Sequence, residues 1–255
     1  MEEKDNLKQN YYSLEMDMDY MSYSQFKQFC ECPAKAMAIL KGEYQPEESD
    51  AMLIGSYVDA WLDGELDKFK ETHPEIYNSR TGELKSNFKQ AEELCEIIKN
   101  DELMYKLLTG ERQKILTGTI AGVKFKGKID SLTEDFIVDG KVIKDCNDVW
   151  LDGEKRPFYY ANRYDIQAVV YEKLYMQNYF KELPYLLAIV TKEKAPDKRL
   201  VMINEQAKKD AEQEIIAKAP IFDAMKKGNA EVYGCGCCDY CRSKKKLKFE
   251  DIEEM

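Results

Sequence analysis

The stretch GKIDSLTEDFIVDGKVIKD, residues 127 to 145, decides how this chain is read. It contains two apolar, strand-like runs, yet Asp130, Asp139 and Lys141 stand where a strand prefers Val, Ile or an aromatic. Asp139 and Lys141 are two apart, so the period of a strand sends both side chains to one face. Asp130 lies at the end of the preceding run and reaches the same patch if the two runs pair as antiparallel neighbours. Two carboxylates that close repel unless a cation sits between them. Oxygen ligands suit Mg²⁺ or Mn²⁺, and a neighbouring lysine can position or deprotonate a water and stabilise charge building on a phosphate. The competing reading is that all three side chains simply face solvent, and acid-x-Lys pairs are common enough that the flanking chain must arbitrate.

Outward from that stretch, KILTGTIAG (114–122), VKFKGKIDSL (123–132) and DFIVDGKVI (135–143) form three strand candidates in quick succession, an antiparallel meander. A long amphipathic helix is predicted before them, roughly 86 to 109, with Leu94, Ile97, Ile98 and Leu107 as apolar positions. After them, NRYDIQAVVYEKLYMQNYF (162–180) returns to helical spacing, YLLAIVTKE (185–193) reads as a buried strand, and KRLVMINE (198–205) as another short one. Residues 205 to 228 make a last amphipathic helix with Gly228 as its stop. Towards the N-terminus, SYSQFKQFCECPAKAMAIL (22–40) gives two helical segments, the second opened by Pro33, followed by a loop over 43–50 and a helix over 51–65. The order predicts one α/β domain over 21–245 with accessory N-terminal helices, an irregular segment over 1–20 and a tail over 246–255. No period of 20 to 50 residues repeats, which excludes a solenoid.

Bulk composition narrows the chemistry. The chain has 255 residues, a net charge of −10 and a single histidine, His73, so a Ser-His-Asp or Cys-His mechanism would have to run on that one residue. A protein that merely coats nucleic acid is disfavoured by that charge, although RSKKKLKF (242–249) supplies a basic run and bound cations offset carboxylates. The polar opening MEEKDNLKQN does not resemble a signal peptide and no apolar run approaches the roughly 18 residues that span a bilayer, so a cytoplasmic protein without membrane contact is expected. Eight cysteines include CGCCDYC at 235–241, and in a reducing compartment such a cluster reads as a metal site before a set of disulfides.

Taken together, these residues resemble the PD-(D/E)xK nuclease superfamily, whose core is a helix, a three-strand antiparallel meander, a helix and a strand, with the motif on the third strand of the meander. Within it the chain is most similar to the phage exonuclease VIII (RecE-like) and RecB-like group. IGSYVDAWLDG (54–64) resembles that group's G-S-x-x-H helix, with Asp59 where the family has a metal-binding histidine. YDIQAVVYEKLY matches its Q-x3-Y motif at Gln167 and Tyr171, which in the family orient the site and contact the DNA strand. Cys32 with Cys235, Cys238 and Cys241 resembles the one-plus-three arrangement of its iron–sulfur members, implying a [4Fe-4S] cluster or Zn²⁺, with Cys237 as an extra candidate. Gly140 replaces the usual apolar residue between acid and lysine, but its carbonyl remains as a ligand.

The resemblance implies a metal-dependent DNA exonuclease in which Asp59, Asp130, Asp139 and the Gly140 carbonyl hold Mg²⁺ or Mn²⁺ and Lys141 assists the attacking water. It further implies DNA as partner, as duplex ends or single strands, together with a phage recombination partner such as a single-strand annealing protein, and self-association. The alternative is a nuclease-fold module that binds nucleic acid or protein without turnover, stapled by a cysteine-bound metal.

Overall fold

The computed structural model describes residues 10–47, 49–151, 153–247, 249 and 252. In chain order it contains α1 (Leu14–Asp19), β1 (Met21–Ser22), α2 (Tyr23–Glu31), α3 (Pro33–Leu40), α4 (Asp50–Leu62), α5 (Leu66–Thr72), α6 (Ser86–Lys99) and α7 (Glu102–Leu108). There follow β2 (Glu111–Ile120), β3 (Val123–Leu132), β4 (Ile137–Ile143), β5 (Val149–Leu151), β6 (Glu154–Arg156), α8 (Phe158–Asn162) and α9 (Tyr164–Tyr179). The series ends with β7 (Tyr185–Thr191), β8 (Lys198–Val201), α10 (Glu205–Lys226) and α11 (Asp239–Lys244). The chain divides into two compact units, one of residues 47–118 with 127–213, the other of 1–46, 119–126 and 214–255.

In the first unit the expected meander is present. β2 pairs with β3, and β3 pairs antiparallel with β4 in the register Ser131↔Val138. That register brings Asp130 beside Asp139. β4 then pairs parallel with β7 along its whole length, and β7 pairs antiparallel with β8. All seven residues of β7 are buried, as a strand flanked on both edges and covered on both faces requires. Tyr57 and Val58 of α4, Phe88, Leu94 and Ile98 of α6, Leu108 of α7, and Val138 and Leu186 of the sheet form the core under the strand that carries the motif.

The predicted helix over 86–109 is two helices. Asn100 caps the end of α6, and the Asp101 carboxylate accepts the Met104 N–H at 3.0 Å to start α7. An aspartate that satisfies an orphan N–H of a new helix competes with continuing the old one. Between β4 and α9, over residues 144–163, the chain inserts the β5–β6 hairpin and α8.

The second unit packs Phe26 and Phe29 of α2 against Phe222 of α10, with ring centroids 5.5 and 5.2 Å apart. Cys32 caps α3, whose first residue is Pro33 as predicted. The expectation of an irregular segment over 1–20 is corrected at 14–19, where Ser13 caps α1. The fully buried Lys126 ammonium pairs with Asp17 at 2.7 Å and donates to the Tyr11 carbonyl. A buried cation needs such partners, and they hold α1 in place. Residues 1–9 and most of the predicted tail over 246–255 lie outside the described residues.

Candidate active site and cysteine cluster

β4 presents Asp139 and Lys141 on one face, as alternation dictates. Asp139 is 1% exposed. Its Oδ1 accepts a hydrogen bond from Gln167 Nε2 at 2.7 Å, and its Oδ2 meets the Lys141 ammonium as an ion pair without a hydrogen bond of ordinary geometry. Asp130 joins from β3, where its Oδ2 accepts the Gly140 N–H at 3.2 Å. Gly140 itself is explained by packing: a Cβ there would lie 3.0 Å from Leu108 Cδ2 of α7. The glycine therefore lets α7 press against β4, and the strand remains laddered to β7 on its other edge.

Asp59 comes from the last turns of α4, and its carboxyl titrates as a member of the same group. Burial pushes it up to about 6, with the negative charges of Asp139 and Asp63 adding to the rise and Lys141 and Arg112 opposing it. Asp130 is raised well above the usual carboxylate range by burial and then by Asp139. Lys141 loses some basicity to burial, but Asp139 and Asp130 outweigh that loss and hold it well above its ordinary value. Three partly desolvated acids around one lysine are an electrostatically loaded arrangement.

That load has a measurable consequence. A carboxyl whose folded value lies above its unfolded one takes up a proton on folding, so its contribution to stability grows as pH falls through the folded value towards the unfolded one. Between pH 7 and pH 4 the metal-free protein should gain on the order of 2 kcal/mol from Asp59 and the acids beside it. Thermal melts in chelator across that window should show the gain, and Asp59→Asn should reduce it. An unchanged pH dependence in the variant would remove Asp59 from the cluster.

Gln167 and Tyr171 both face the sheet from α9 but do different things. Gln167 holds Asp139, whereas the Tyr171 hydroxyl donates to the Lys128 carbonyl at 3.1 Å and so braces β3 two residues before Asp130. Tyr164, which the sequence reading passed over, places its ring 5.5 Å from the Lys141 ammonium. Its position three residues before Gln167 on the same helical face was the available signal. Also unforeseen is a clamp on the end of α4. Arg112 Nε donates to Asp63 Oδ1 at 2.7 Å and Gln113 Nε2 to Asp63 Oδ2 at 2.8 Å. Asp63 is one helical turn beyond Asp59, so this clamp fixes the turn that carries the third acid.

Asp139 Oδ2 has the Lys141 ammonium as its ion-pair partner, and Gln167 Oε1 is buried beside the same site. Neither oxygen finds a hydrogen-bond partner among the described residues. The donor set of carboxylates, an amide oxygen and the Gly140 carbonyl is hard, and it fits Mg²⁺ or Mn²⁺.

The cysteine cluster lies wholly in the second unit. The ligand atoms of Cys32, Cys235, Cys238 and Cys241 all fall within 4.8 Å of one another. Cys32 Sγ and Cys241 Sγ are 3.5 Å apart, and Cys235 Sγ and Cys241 Sγ 4.0 Å. Backbone amides aim at the sulfurs: Lys35 N–H and Cys235 N–H at Cys32, Cys238 N–H at Cys235, and Cys241 N–H at Cys238. Hydrogen bonds from the backbone N–H groups of Cys237 and Cys238 push the Cys235 thiol down to about 6, which favours the thiolate that binds metal. Gly236, at φ +75°, makes the turn that folds the tail cysteines around Cys32. Cys237 stays outside the group of four, with its Sγ 3.6 Å from that of Cys235.

The family described as "PDDEXK-like domain of unknown function (DUF3799)" matches residues 22–244, and the chain belongs to it. The superfamily and the mixed α/β nuclease-like fold implied by the resemblance are thus established. Among solved structures, the crystal structure of a "Putative exonuclease" from Eubacterium rectale is similar at 38% identity and a TM-score of 0.89, over 94% of this chain and 93% of that one. No curated protein matches. No helix among the described residues is long and apolar enough to cross a membrane.

Proposed function

We propose that this protein is a metal-dependent exodeoxyribonuclease. The observation that carries the reading is the buried Asp139, held by Gln167 and paired with Lys141, beside Asp130 and within reach of the field of Asp59. Membership of the PDDEXK-like family and similarity to a protein described as an exonuclease support it. Asp59, Asp130, Asp139 and the Gly140 carbonyl would hold one or two divalent cations. Such an ion supplies Lewis acidity and a bound water of lowered pKa. Gln167 fixes the rotamer of Asp139 so that its second oxygen stays turned towards the site. Lys141 remains protonated next to two acids, so it gives a phosphate hydrogen bonds and positive charge rather than taking a proton. The Tyr164 ring, 5.5 Å from the Lys141 ammonium, adds a cation–π contact to it.

The assay is digestion of linear and of closed circular DNA with Mg²⁺ and then with excess chelator. Mg²⁺-dependent loss of the linear form alone fits an exonuclease. Undigested linear DNA at saturating Mg²⁺ would leave the non-catalytic module as the reading. A role in phage-type recombination or DNA processing, with a single-strand annealing protein as partner and self-association, rests on the resemblance to the RecE-like group.

For the four thiolates the reading is a single tetrahedral ion of the zinc class. A Zn–S bond of about 2.3 Å puts tetrahedral sulfurs about 3.8 Å apart, and the spacings of 3.5 and 4.0 Å straddle that value. In a [4Fe-4S] cluster each thiolate binds a different iron, which spreads the sulfurs beyond the 4.8 Å that contains all four here. Elemental analysis should find one zinc per chain in colourless protein. Cys238→Ser should lose that zinc and lower Tm by at least about 5 °C, because ion binding counts towards folding, with cleavage by the remaining folded enzyme unchanged. A brown iron–sulfur absorbance, or metal-free protein indifferent to the substitution, would contradict this.

A further inference from the structure

The hairpin that interrupts the motif carries a feature the acid site does not use. Trp150 is 73% exposed, in the middle of β5. Strand alternation turns its neighbours Val149 and Leu151 to the opposite, half-buried side, where β5 packs on α8. β5 and β6 form their own two-stranded sheet, so the ring rests on no other strand. Directly across the hairpin from Trp150 is Lys155. An indole left this bare forgoes most of the stabilisation that burial of so large a ring would give, and a flat, exposed aromatic suits a flat partner.

Location and charge select the partner. The hairpin lies in the chain between β4, which carries Asp139 and Lys141, and α9, which carries Tyr164 and Gln167. A cleft of about 450 Å³ flanks the hairpin, lined from Ile143, two residues beyond Lys141 in the chain, past Lys144, Asp145, Asp148 and Val149 to Phe158 and Asn162. Asp145 and Asp148 in its wall can accept hydrogen bonds from base edges. The cations around the hairpin are already matched: Lys155 with Asp148 at 3.5 Å, Arg156 with Glu154 at 2.7 Å, and Lys144 with Asp145 at 3.8 Å. Arg156 also lies over the ring of Tyr160, 5.2 Å from its centroid. This surface therefore offers ring faces and hydrogen-bond acceptors to bases and little net field to a phosphate backbone.

We infer that Trp150 is a stacking platform for an unpaired base of the nucleic-acid substrate, so that the site engages single-stranded DNA, including the frayed end of a duplex. This inference rests on the nuclease reading and specifies its substrate. Stacking one base on an aromatic side chain is sequence-tolerant, and its loss to alanine weakens binding by about 10-fold or more. Because the platform works by stacking, that loss should leave the salt dependence of binding unchanged.

The test uses full-length protein carrying Asp139→Asn to suppress cleavage, a labelled 15-nucleotide oligo-dT and a blunt 15-base-pair duplex in Mg²⁺. In a Trp61→Phe background, where Trp150 is the remaining tryptophan, oligo-dT should quench the tryptophan emission. Trp150→Ala should lower single-strand affinity at least about 10-fold with the same salt slope, while Trp150→Phe, which keeps a ring, should stay within a few-fold of the parent. Oligo-dT binding that neither quenches the emission nor changes in Trp150→Ala would overturn the platform while leaving the nuclease reading intact. Equal losses for oligo-dT and blunt duplex would overturn it too. Failure of the parent to bind either DNA would overturn both readings.

Discussion

Asp139→Asn should reduce phosphodiester cleavage by at least about 10³-fold, since it replaces a charged oxygen ligand with a neutral one where metal catalysis is worth several kcal/mol. Fold and stability should change little. The asparagine side chain still offers an oxygen to Gln167 Nε2, and removing one of three acids relieves the repulsion that raises Asp59 and Asp130. Asp139→Ala is a harsher variant. Both variants leave Lys141 with Asp130 as its remaining counter-charge, but the alanine also strips the buried Gln167 amide of its acceptor, an additional cost of about 1–3 kcal/mol. Steady-state cleavage of linear DNA alongside thermal melts separates the two effects. An Asp139→Asn variant that cleaves at the parental rate would sink the site assignment.

The second large effect concerns Lys141. Lys141→Ala should lower turnover by about 10²-fold or more, the scale for removing one preorganised electrostatic donor. Its effect on stability should depend on the medium. In chelator the variant should be destabilised, because Asp139 and Asp130 lose the ammonium that neutralises them. Mg²⁺ should restore much of that loss, because a cation bound to the acids does the same work and binding to the folded state stabilises it. Metal affinity should hold or rise as the competing positive charge disappears. A variant that loses affinity for Mg²⁺ yet cleaves normally at saturating Mg²⁺ would show that Lys141 serves the ion and not the reaction.

What could be read from the sequence followed what is local and periodic. Alternation alone set Asp139 and Lys141 on one face, and the meander's register supplied Asp130. The one-plus-three cysteine pattern found the cluster, but its sulfur spacing, which separates a single ion from an iron–sulfur cluster, exists only in three dimensions. Arg112 and Gln113 could not be tied to Asp63 from the chain, because the clamp joins a strand to a helix some 50 positions earlier and relies on Gln113 adopting φ +56°. The β5–β6 hairpin escaped notice because VWLDGEKR is too short and too charged to read as paired strands. Asp101 falls inside the helix predicted over 86–109, whereas its carboxylate starts a new helix. Gly140 stands where the family has an apolar residue, and the approach of Leu108, visible only in the fold, accounts for it.

The most direct test of the central claim is a crystal soaked in Mn²⁺ and measured at a wavelength where manganese scatters anomalously. The account predicts an anomalous peak between the Asp130 and Asp139 carboxylates, within bonding distance of the Gly140 carbonyl, with the Lys141 ammonium moved off Asp139 Oδ2. Fully soaked crystals without that peak, with Lys141 still paired to Asp139, would contradict it.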